Sequence, residues 1–539
     1  MLNQLICILC FKLDILCTTT TINLNASNKK FRASKRNIFS IIRTKTTHIM
    51  KTTFKITSLV ASFTLLCISC TNAQTYIPAD DAKIQYTGRI DYTNSLQPQY
   101  SYPGVSIKAK FNGTGVSAII QDHGAGASGT TNYYKVFIDG VIVTEQLKMD
   151  TGNKTYSLAA GLSAGDHTVE IMKITEGASG KSSFIGFEIK GGAQTSLDLP
   201  ARAAKRLEFI GDSWTCGYGN LSQFASGSAS MANAGYVAEN EDNYYAWGPI
   251  SARALGAEYQ VTAISGRGLY RNNWQSDNTG LATGTLPKNY NNIMQDNDAI
   301  PYDHSFHPDV VSIHLGTNDM AAEGEVGESA KLDDAAYQNT YRDFIVKILT
   351  EHPCAKVVMC YGNSKSDGYP SWTKQLTRLR TITNNLAAMY PDGNVVGLEL
   401  PYTAESWPAQ SDDCGYGDAW HPSKCSHEEM SAVLVTKINS LTVSWGTTSG
   451  CTYTYNPGTA VGTAEIANSN TISIYPNPAQ NNIVVQGLEN NDWRIINQLG
   501  EVVLSGDKKT IDIEPLSTGV YCLLSTKNNQ FQSVKFIKN

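Results

Sequence analysis

The pattern of apolar and polar positions divides the chain into four main stretches. From residue 77 to about 190, short runs such as VSIKAKF and NYYKVFIDG alternate apolar with polar positions and are separated by Gly, Asn and Asp. A period of two is typical of strands that turn one face to a core and the other to water. This predicts a β-sandwich over residues 77–190, followed by a linker at 191–204.

Between residues 205 and 443 the pattern changes to apolar runs without polar alternation. RLEFIGDS, QVTAISGRG, PDVVSIHLGTND and AKVVMCYGN are four such runs, and amphipathic stretches such as DDAAYQNTYRDFIVKILTEH lie among them. Strands of this kind, interleaved with helices, form a parallel sheet that helices cover on both faces. We therefore predict an α/β domain whose ligand site lies beyond the carboxyl ends of the strands.

The remaining stretches are a spacer, a second β region and a leader. Residues 444–470 are rich in Gly, Thr, Ser and Asn and predict a spacer, whereas residues 471–539 return to short strands and predict a small β-sandwich. Residues 50–73 combine two lysines, an apolar centre and a small-residue exit, which predicts a secretory signal peptide and not a membrane span. We expect residues 1–49 to be an upstream extension, with translation starting at Met50.

Charge and cysteine content narrow the function classes. The whole chain has a net charge of −5, and removal of residues 1–73 takes away ten basic and one acidic residue, which leaves −14. Such a surface disfavours nucleic acid and anionic membranes and suits an exported protein. Export permits disulfides, and Cys414 with Cys425 would close a short loop. No paired CxxC spacing indicates structural zinc. We expect neither a metal nor a cofactor.

Polar groups at the predicted strand ends supply the parts of an acyl-transfer site. They are Ser213 after LEFIG, Gly266 after VTAIS, Asn318 in LGTND, and Asp418 and His421 in GDAWHPS. A serine hydroxyl needs a base, and histidine is suited to that task near neutral pH, with Asp418 as acceptor for its other ring nitrogen. Backbone N–H groups and the Asn318 amide would hold the oxyanion. Each residue alone is explained equally well by a helix cap or a turn.

Taken together, the four blocks resemble the SGNH, or GDSL, hydrolase superfamily. The order GDS, Gly after the second strand, GTND and DxxH before the last helix spans most of residues 205–443. The resemblance implies a flavodoxin-like parallel sheet with Ser213 as nucleophile and His421 and Asp418 as its triad partners. It also implies that the N–H of Ser213, Gly266 and Asn318 form the oxyanion hole.

The first β domain narrows this resemblance to carbohydrate esterase family 2. YPGVSIKAKFNGTGV, NYYKVFIDG and GDHTVEIMKITEG, followed by GDSWTCGYGN, SGRGLYRN and GTNDM, carry the likeness over roughly residues 85–440. It implies a jelly-roll first domain and removal of O-acetyl groups from plant polysaccharides such as xylan and glucomannan, without a metal. Some members orient the histidine through a backbone carbonyl, but here Asp418 occupies the DxxH position. Aromatic residues beside the motifs are candidate sugar platforms: Trp214, Tyr270, Trp274, Tyr416 and Trp420.

The last 70 residues resemble the sorting domain of the type IX secretion system, through ISIYPNPAQNNIVV, LSTGVYCL and KFIKN. This implies the type IX secretion machinery as a partner and a secreted or cell-surface protein without a stable membrane span. Two alternatives stay open: an SGNH lipase or esterase for another acyl group, and a polysaccharide-binding protein around a degenerate hydrolase. GLSAG at residues 161–165 matches GxSxG but precedes a strand, so we interpret it as a turn.

Overall fold

The computed structural model describes residues 75–539, except 125–130, 193–194, 223–234, 278–283, 296, 363–364, 369, 402–413, 457–472, 489–492, 498–501 and 528–529. The predicted extension at residues 1–49 and signal peptide at residues 50–73 lie outside this part. The described chain forms an antiparallel β domain, an α/β domain with a parallel sheet and a C-terminal β region. This confirms the multidomain organisation that the sequence predicts.

The first domain is built on an antiparallel sheet, which has nine strands in the part of the chain described: β1 Thr75–Pro78, β2 Gln85–Thr87, β3 Gln99–Tyr100, β4 Ser106–Asp122, β5 Tyr133–Ile138, β6 Val141–Lys148, β7 Gly152–Lys173, β8 Ser182–Lys190 and β9 Thr195–Leu197. The long strand β4 pairs with β2, β7, β8 and β9. Its alternation places Ile107, Ala109 and Phe111 in the core. The jelly-roll form of this domain stays a prediction.

The second domain contains a parallel sheet in the order β11-β10-β14-β15-β16. The strands of this domain are β10 Arg206–Gly211, β11 Glu258–Ala263, β12 Asn292–Met294, β13 Asn297–Pro301, β14 Val310–His314, β15 Lys356–Tyr361 and β16 Val395–Glu399, of which β12 and β13 form a separate pair. The order is that of flavodoxin-like sheets, which bind ligands where the winding reverses. Here the reversal lies between the carboxyl ends of β10 and β14.

Helices cover both faces of this sheet, as predicted. The described α-helices are α1 Ser213–Cys216, α2 Trp247–Leu255, α3 Leu286–Asn289, α4 Ala321–Glu325, α5 Asp334–Glu351, α6 Gln375–Ala388 and α7 Lys424–Asn439. Phe209 of β10 belongs to the core cluster with α2 and α7, and its neighbour Ile210 belongs to the cluster with α5 and α6. None of the helices that the structure describes combines the length and apolar character needed to cross a membrane.

The first and second domains share one core. Met172 and Ile174, at the end of β7, lie in the same buried cluster as Leu207 and Phe209 of β10. Strand β9 lies within the predicted linker at 191–204 and pairs with β4, so this part of the linker belongs to the sheet of the first domain. The two domains therefore form a continuous packed unit, not two bodies on a free linker.

The predicted spacer at 444–470 likewise begins as part of the second domain. Cys451 forms a disulfide with Cys354, shortly after α5. The N–H of Asn456 donates to the carbonyl oxygen of Met389 at 2.8 Å. The described portion of the spacer, up to residue 456, is thus attached to the domain that precedes it.

The C-terminal region consists of two antiparallel sheets. Its strands are β17 Ser473–Tyr475, β18 Asn482–Gln486, β19 Trp493–Ile496, β20 Val502–Gly506, β21 Thr510–Asp512, β22 Gly519–Lys527 and β23 Gln530–Lys538. Ile483 from one sheet and Ile495 and Leu523 from the other share a buried cluster. Two sheets with a common core agree with the small second β region that the sequence predicts.

A buried ion pair crosses the boundary between the first two domains. The guanidinium of Arg89 lies 3.3 Å from Oε1 of Glu208 on β10, and both side chains are at most 1% exposed. Arg89 also donates to the carbonyl oxygens of Tyr290 and Asn292 and lies over the ring of Tyr302, 4.1 Å from its centroid. These partners replace the water that each charge lost on burial.

Replacing Arg89 with Met should lower the free energy of unfolding by about 3 to 5 kcal/mol, because the Glu208 carboxylate would remain buried without its cation. Arg342→Met is the matched control: its pair with Asp343 is exposed and should contribute less than about 1 kcal/mol. Urea unfolding followed by tryptophan fluorescence measures both variants. Equal unfolding midpoints would contradict a stabilising role of the buried pair.

Candidate active site

Ser213 begins helix α1 directly after β10, at the carboxyl edge of the parallel sheet. The N-cap of this helix is Asp212, whose Oδ1 accepts from the N–H of Trp214 at 3.1 Å. The turn is tight, since a Cβ at Gly211 would lie 2.0 Å from Oγ1 of Thr215. Ser213 is therefore not the cap of the helix, and its hydroxyl is left for another partner.

That partner is His421. The distance between His421 Nε2 and Ser213 Oγ is 2.7 Å. The other ring nitrogen, Nδ1, lies 2.9 Å from the carbonyl oxygen of Ala419 and 3.2 Å from that of Asp418. Because a carbonyl oxygen can only accept, Nδ1 carries the proton and Nε2 is the acceptor for the serine hydroxyl.

Asp418 departs from the prediction that its carboxylate orients the histidine. That carboxylate accepts from Nδ2 of Asn240 at 2.6 Å, and among the described contacts no hydrogen bond joins it to the imidazole. The cause is the backbone: Ala419 and Trp420 have φ of +47° and +65°. The turn brings the peptide oxygens of residues 418 and 419 to Nδ1, so Asp418 contacts His421 through its main chain.

The loop that carries His421 is pressed against the loop that follows α1. The N–H of Asp418 donates to the carbonyl oxygen of Gly219 at 3.1 Å. A Cβ at Gly417 would lie 2.1 Å from that same oxygen, so only glycine permits the approach. The ring of Tyr218 stacks on the imidazole with centroids 4.1 Å apart. The loop after α1 thus covers one face of the imidazole with the Tyr218 ring and holds the His421 loop through Gly219.

A disulfide ties the same loop to helix α7. The structure joins Cys414 to Cys425, the pair that the sequence singled out. Next to it, the N–H of Lys424 donates to the carbonyl oxygen of Asn220 at 2.8 Å. The start of α7 is thereby fixed to both loops.

The predicted oxyanion donors gather beside Ser213. Gly266 has a φ of +76°, a backbone conformation that favours glycine. Within the described part of the chain, neither the N–H of Gly266 nor that of Ser213 has a protein acceptor. Nδ2 of Asn318 donates to Oδ2 of Asp212 at 3.2 Å and to the carbonyl oxygen of Arg267 at 2.9 Å. The Asn318 amide thus lies between the residue before Ser213 and the residue after Gly266.

Asp319 organises the loop after Gly266 and was missed from the sequence. Its carboxylate accepts from the N–H groups of Leu269, Tyr270 and Arg271 at 2.7 to 3.0 Å. Burial raises the pKa of Asp319 to about 6, against the effect of these hydrogen bonds. The only sequence signal was its place directly after Asn318 in GTND.

Burial also sets the base strength of the histidine. Desolvation lowers the pKa of His421 below its ordinary 6.5, although the charge of Asp212 and the carbonyls of Ala419 and Asp418 act in the opposite direction. The ring is therefore neutral at physiological pH, which is the form that can accept a proton.

Two of the five candidate sugar platforms are on the surface. Trp274 is 62% exposed and Trp420 is 46% exposed, whereas Trp214, Tyr270 and Tyr416 are buried. Trp420 precedes His421 in the chain, and the Trp274 ring lies 3.2 Å from where a Cβ of Gly266 would be. Exposed indoles therefore adjoin both the base and the oxyanion loop, and the buried three belong to the packed interior.

One group of side chains could in principle hold a metal ion. Donor atoms of Glu176, Cys216 and Glu241 lie within 4.8 Å of one another, and all three residues are buried. The sequence did not indicate them, because Glu176 comes from the first domain and the other two from the second.

Three family models match successive parts of the chain. "Carbohydrate esterase 2 N-terminal" matches residues 86–200, "GDSL-like Lipase/Acylhydrolase" matches residues 207–434, and "Secretion system C-terminal sorting domain" matches residues 473–539. The sorting domain implies secretion or attachment at the cell surface.

Curated proteins and solved structures agree with these matches. Cellulase/esterase CelE of Acetivibrio thermocellus is 28% identical over 362 residues, which are 67% of this chain but 40% of that protein, so this chain spans less than half its length. An acetylxylan esterase / glucomannan deacetylase of Cellvibrio japonicus is 28% identical over 328 residues, 58% of this chain and 82% of that protein. A family two carbohydrate esterase from Clostridium thermocellum in complex with cellohexaose has a TM-score of 0.55 and 27% identity, covering 66% of this chain and 98% of that chain.

The matched regions include the loops that bring Ser213, Gly266, Asn318 and His421 together. A carbohydrate esterase 2 N-terminal domain, a GDSL-like domain and a sorting domain follow one another in a single chain. Domain by domain, the chain is therefore similar to family two carbohydrate esterases with a GDSL-like hydrolase domain, and it also carries a match to a secretion system sorting domain.

Proposed function

We propose that this protein is an exported serine esterase that removes O-acetyl groups from plant polysaccharides such as xylan and glucomannan. The observation that carries the proposal is the 2.7 Å contact between His421 Nε2 and Ser213 Oγ. The N–H groups of Ser213 and Gly266, which have no acceptor among the residues that the structure describes, support it. The relatives named as acetylxylan esterase / glucomannan deacetylase support the substrate class. The exposed indoles of Trp274 and Trp420 offer flat apolar surfaces to sugar rings.

In the first half of the reaction, Ser213 Oγ attacks the acetyl carbonyl carbon while His421 Nε2 takes the hydroxyl proton. The negative charge that develops on the carbonyl oxygen is held by the N–H groups of Ser213 and Gly266. The Asn318 amide becomes the third donor when one of its two N–H groups exchanges its acceptor, Asp212 or Arg267, for the oxyanion. His421 then protonates the departing sugar oxygen. The products are a free polysaccharide hydroxyl and an acetyl group on Ser213.

In the second half, water replaces the sugar. His421 takes a proton from the water, the resulting hydroxide attacks the acetyl-serine, and the same donors hold the oxyanion. Acetate leaves when His421 returns the proton to Ser213 Oγ. Throughout, the carbonyls of Ala419 and Asp418 keep the Nδ1 proton in place and stabilise the imidazolium, a task that a carboxylate performs in Ser-His-Asp sites.

The proposal includes a route of export. A signal peptide at residues 50–73 would direct the chain across the inner membrane, and the sorting domain at residues 471–539 would deliver it to the type IX secretion machinery. The esterase unit is then a jelly-roll domain at 77–190 and a hydrolase domain at 205–443. The matched sorting domain supports the last step of this route.

Acetate release from acetylated xylan and glucomannan tests the proposal. The exported chain should release acetate with or without a chelator, and Ser213→Ala should lower the rate by at least about 10³-fold, because the nucleophile is lost. Ser163→Ala is the matched control and should keep the parent rate. Ser163 is exposed, and its GLSAG stretch lies within strand β7 and not in the turn that the sequence predicted. Hydrolysis of longer acyl esters alone, or glycan binding without acetate release, would favour the alternatives of another esterase or a binding protein.

Asp418→Asn should lower kcat by less than about tenfold, because the main-chain oxygens that hold Nδ1 remain and Asn can still accept from Asn240. Where a carboxylate itself holds the imidazole, the same change costs about 10⁴-fold. His421→Ala serves as the reference for a full loss of the base. A fall with Asp418→Asn as large as that of His421→Ala would assign the carboxylate to the triad.

The pH profile should reflect the buried imidazole. Neutral His421 is the active form and its pKa is lowered, so the half-maximal point on the acidic limb of kcat/KM should lie below pH 6.5. Hydrolysis of a soluble aryl acetate between pH 4 and 9 measures this. A half-maximal rate at or above pH 6.5 would contradict the lowered pKa.

A further inference from the structure

A carboxylate of the first domain reaches the oxyanion loop of the second. Oε2 of Glu176, three residues beyond the end of β7, accepts from the N–H of Ser265 at 2.9 Å. Ser265 is the residue before Gly266, whose N–H is a proposed oxyanion donor. Glu176 is 1% exposed, so water does not compete for this bond.

The segment that carries Glu176 is itself held firmly. The ammonium of Lys173 donates to the carbonyl oxygens of Thr175 and Glu176 at 2.5 and 3.0 Å. The N–H of Glu176 donates to Oε2 of Glu241 at 3.1 Å, and that same oxygen accepts from the hydroxyl of Tyr236 at 2.5 Å. The Glu176 side chain therefore starts from a fixed backbone.

The charges around Glu176 favour a hydrogen-bonding role over metal binding. Oε2 of Glu176 and Oε2 of Glu241 already accept hydrogen bonds, and the Lys173 ammonium lies on the same segment, where it would repel a cation. Burial and the neighbouring Glu176 raise the pKa of Glu241 well above its ordinary range. Burial raises the pKa of Glu176 as well, against the effect of the hydrogen bonds from Ser265 and the charge of Lys173.

We propose that Glu176 is a positioning residue of the esterase site, through which the first domain holds the Ser265–Gly266 stretch so that the Gly266 N–H is directed at the oxyanion. On the far side, the N–H of Asn273 donates to the carbonyl oxygen of Gly266 at 3.1 Å. Glu176 supplies the restraint on the near side. A displacement of the donor by about 1 Å is enough to lose much of a transition-state contact, about 10²-fold in rate. The inference rests on the proposed esterase function.

The test compares three substitutions of Glu176 in the full exported chain, with an aryl acetate as substrate. Glu176→Gln keeps an oxygen at the same reach and should retain kcat within about threefold. Glu176→Asp keeps the charge but is one methylene shorter, and Glu176→Ala removes the acceptor. These two should lower kcat by about 10- to 100-fold with KM changed by less than threefold, because the loss concerns the transition state and not substrate binding.

Ser179→Ala is the matched control. Ser179 lies on the same segment, and its hydroxyl is 2.6 Å from that of Tyr236. This hydrogen bond does not involve the Ser265 loop. Its kcat should stay within twofold of the parent, and thermal unfolding of every variant separates loss of fold from loss of rate. If Glu176→Ala does not fold, the pair Glu176→Gln and Glu176→Asp decides.

The outcomes separate the two proposals. An active parent with Glu176→Asp and Glu176→Ala within threefold of its kcat would overturn the positioning role alone, as would a Glu176→Gln variant as slow as Glu176→Asp. A rise in KM with unchanged kcat would also overturn it, because that pattern belongs to substrate binding. A parent chain without activity on any acetate ester would overturn the proposed function and this inference with it.

Discussion

The hydrogen bond between Ser213 and His421 joins residues 208 positions apart in the chain, and the geometry of the site depends on it. Neither side chain sets that distance by itself, because Ser213 stands at the start of the short helix α1 and His421 stands on a loop. On the serine side, Gly211 allows the tight turn out of β10. On the histidine side, Gly417 allows the loop to press against Gly219. Larger residues at Gly211 and Gly417 would push the two segments apart and lengthen the distance between Ser213 and His421.

A main-chain acceptor for His421 has consequences that a carboxylate would not have. Carbonyl oxygens are neutral, so they fix the Nδ1 proton without raising the basicity of a buried ring as strongly as an anion would. The arrangement requires Ala419 and Trp420 to adopt left-handed φ values, at a cost of about 1 to 2 kcal/mol each. The neighbouring contacts with Gly219 and the Cys414–Cys425 disulfide hold the chain in that turn.

Periodicity predicted the parallel sheet well, because adjacent residues such as Phe209 and Ile210 must both be apolar when each faces a layer of helices. It also placed Ser213 and His421 at the same sheet edge. The side-chain role of Asp418 could not be judged, since neither Ala419 nor Trp420 is a residue type that signals a left-handed turn. The attachment of the two predicted linkers to the neighbouring domains could not be predicted from the sequence. A polar segment has the same composition whether it is free or, like β9, paired with a strand.

Glu176 shows that a domain boundary inferred from composition does not have to be the boundary of the functional unit. It stands in a turn of the first domain, 89 positions before Ser265. It lies in the GDHTVEIMKITEG stretch that carries the family likeness, but that stretch does not indicate a contact with the second domain. Yet the first domain contacts two adjacent strands of the parallel sheet: Arg89 reaches Glu208 within β10, and Glu176 reaches the loop that follows β11. Since β10 and β11 lead to the proposed nucleophile and to a proposed oxyanion donor, the domain that packs beside them contacts both approaches to the site. The proposed esterase unit is therefore the pair of domains, although Ser213 and His421 both belong to the second.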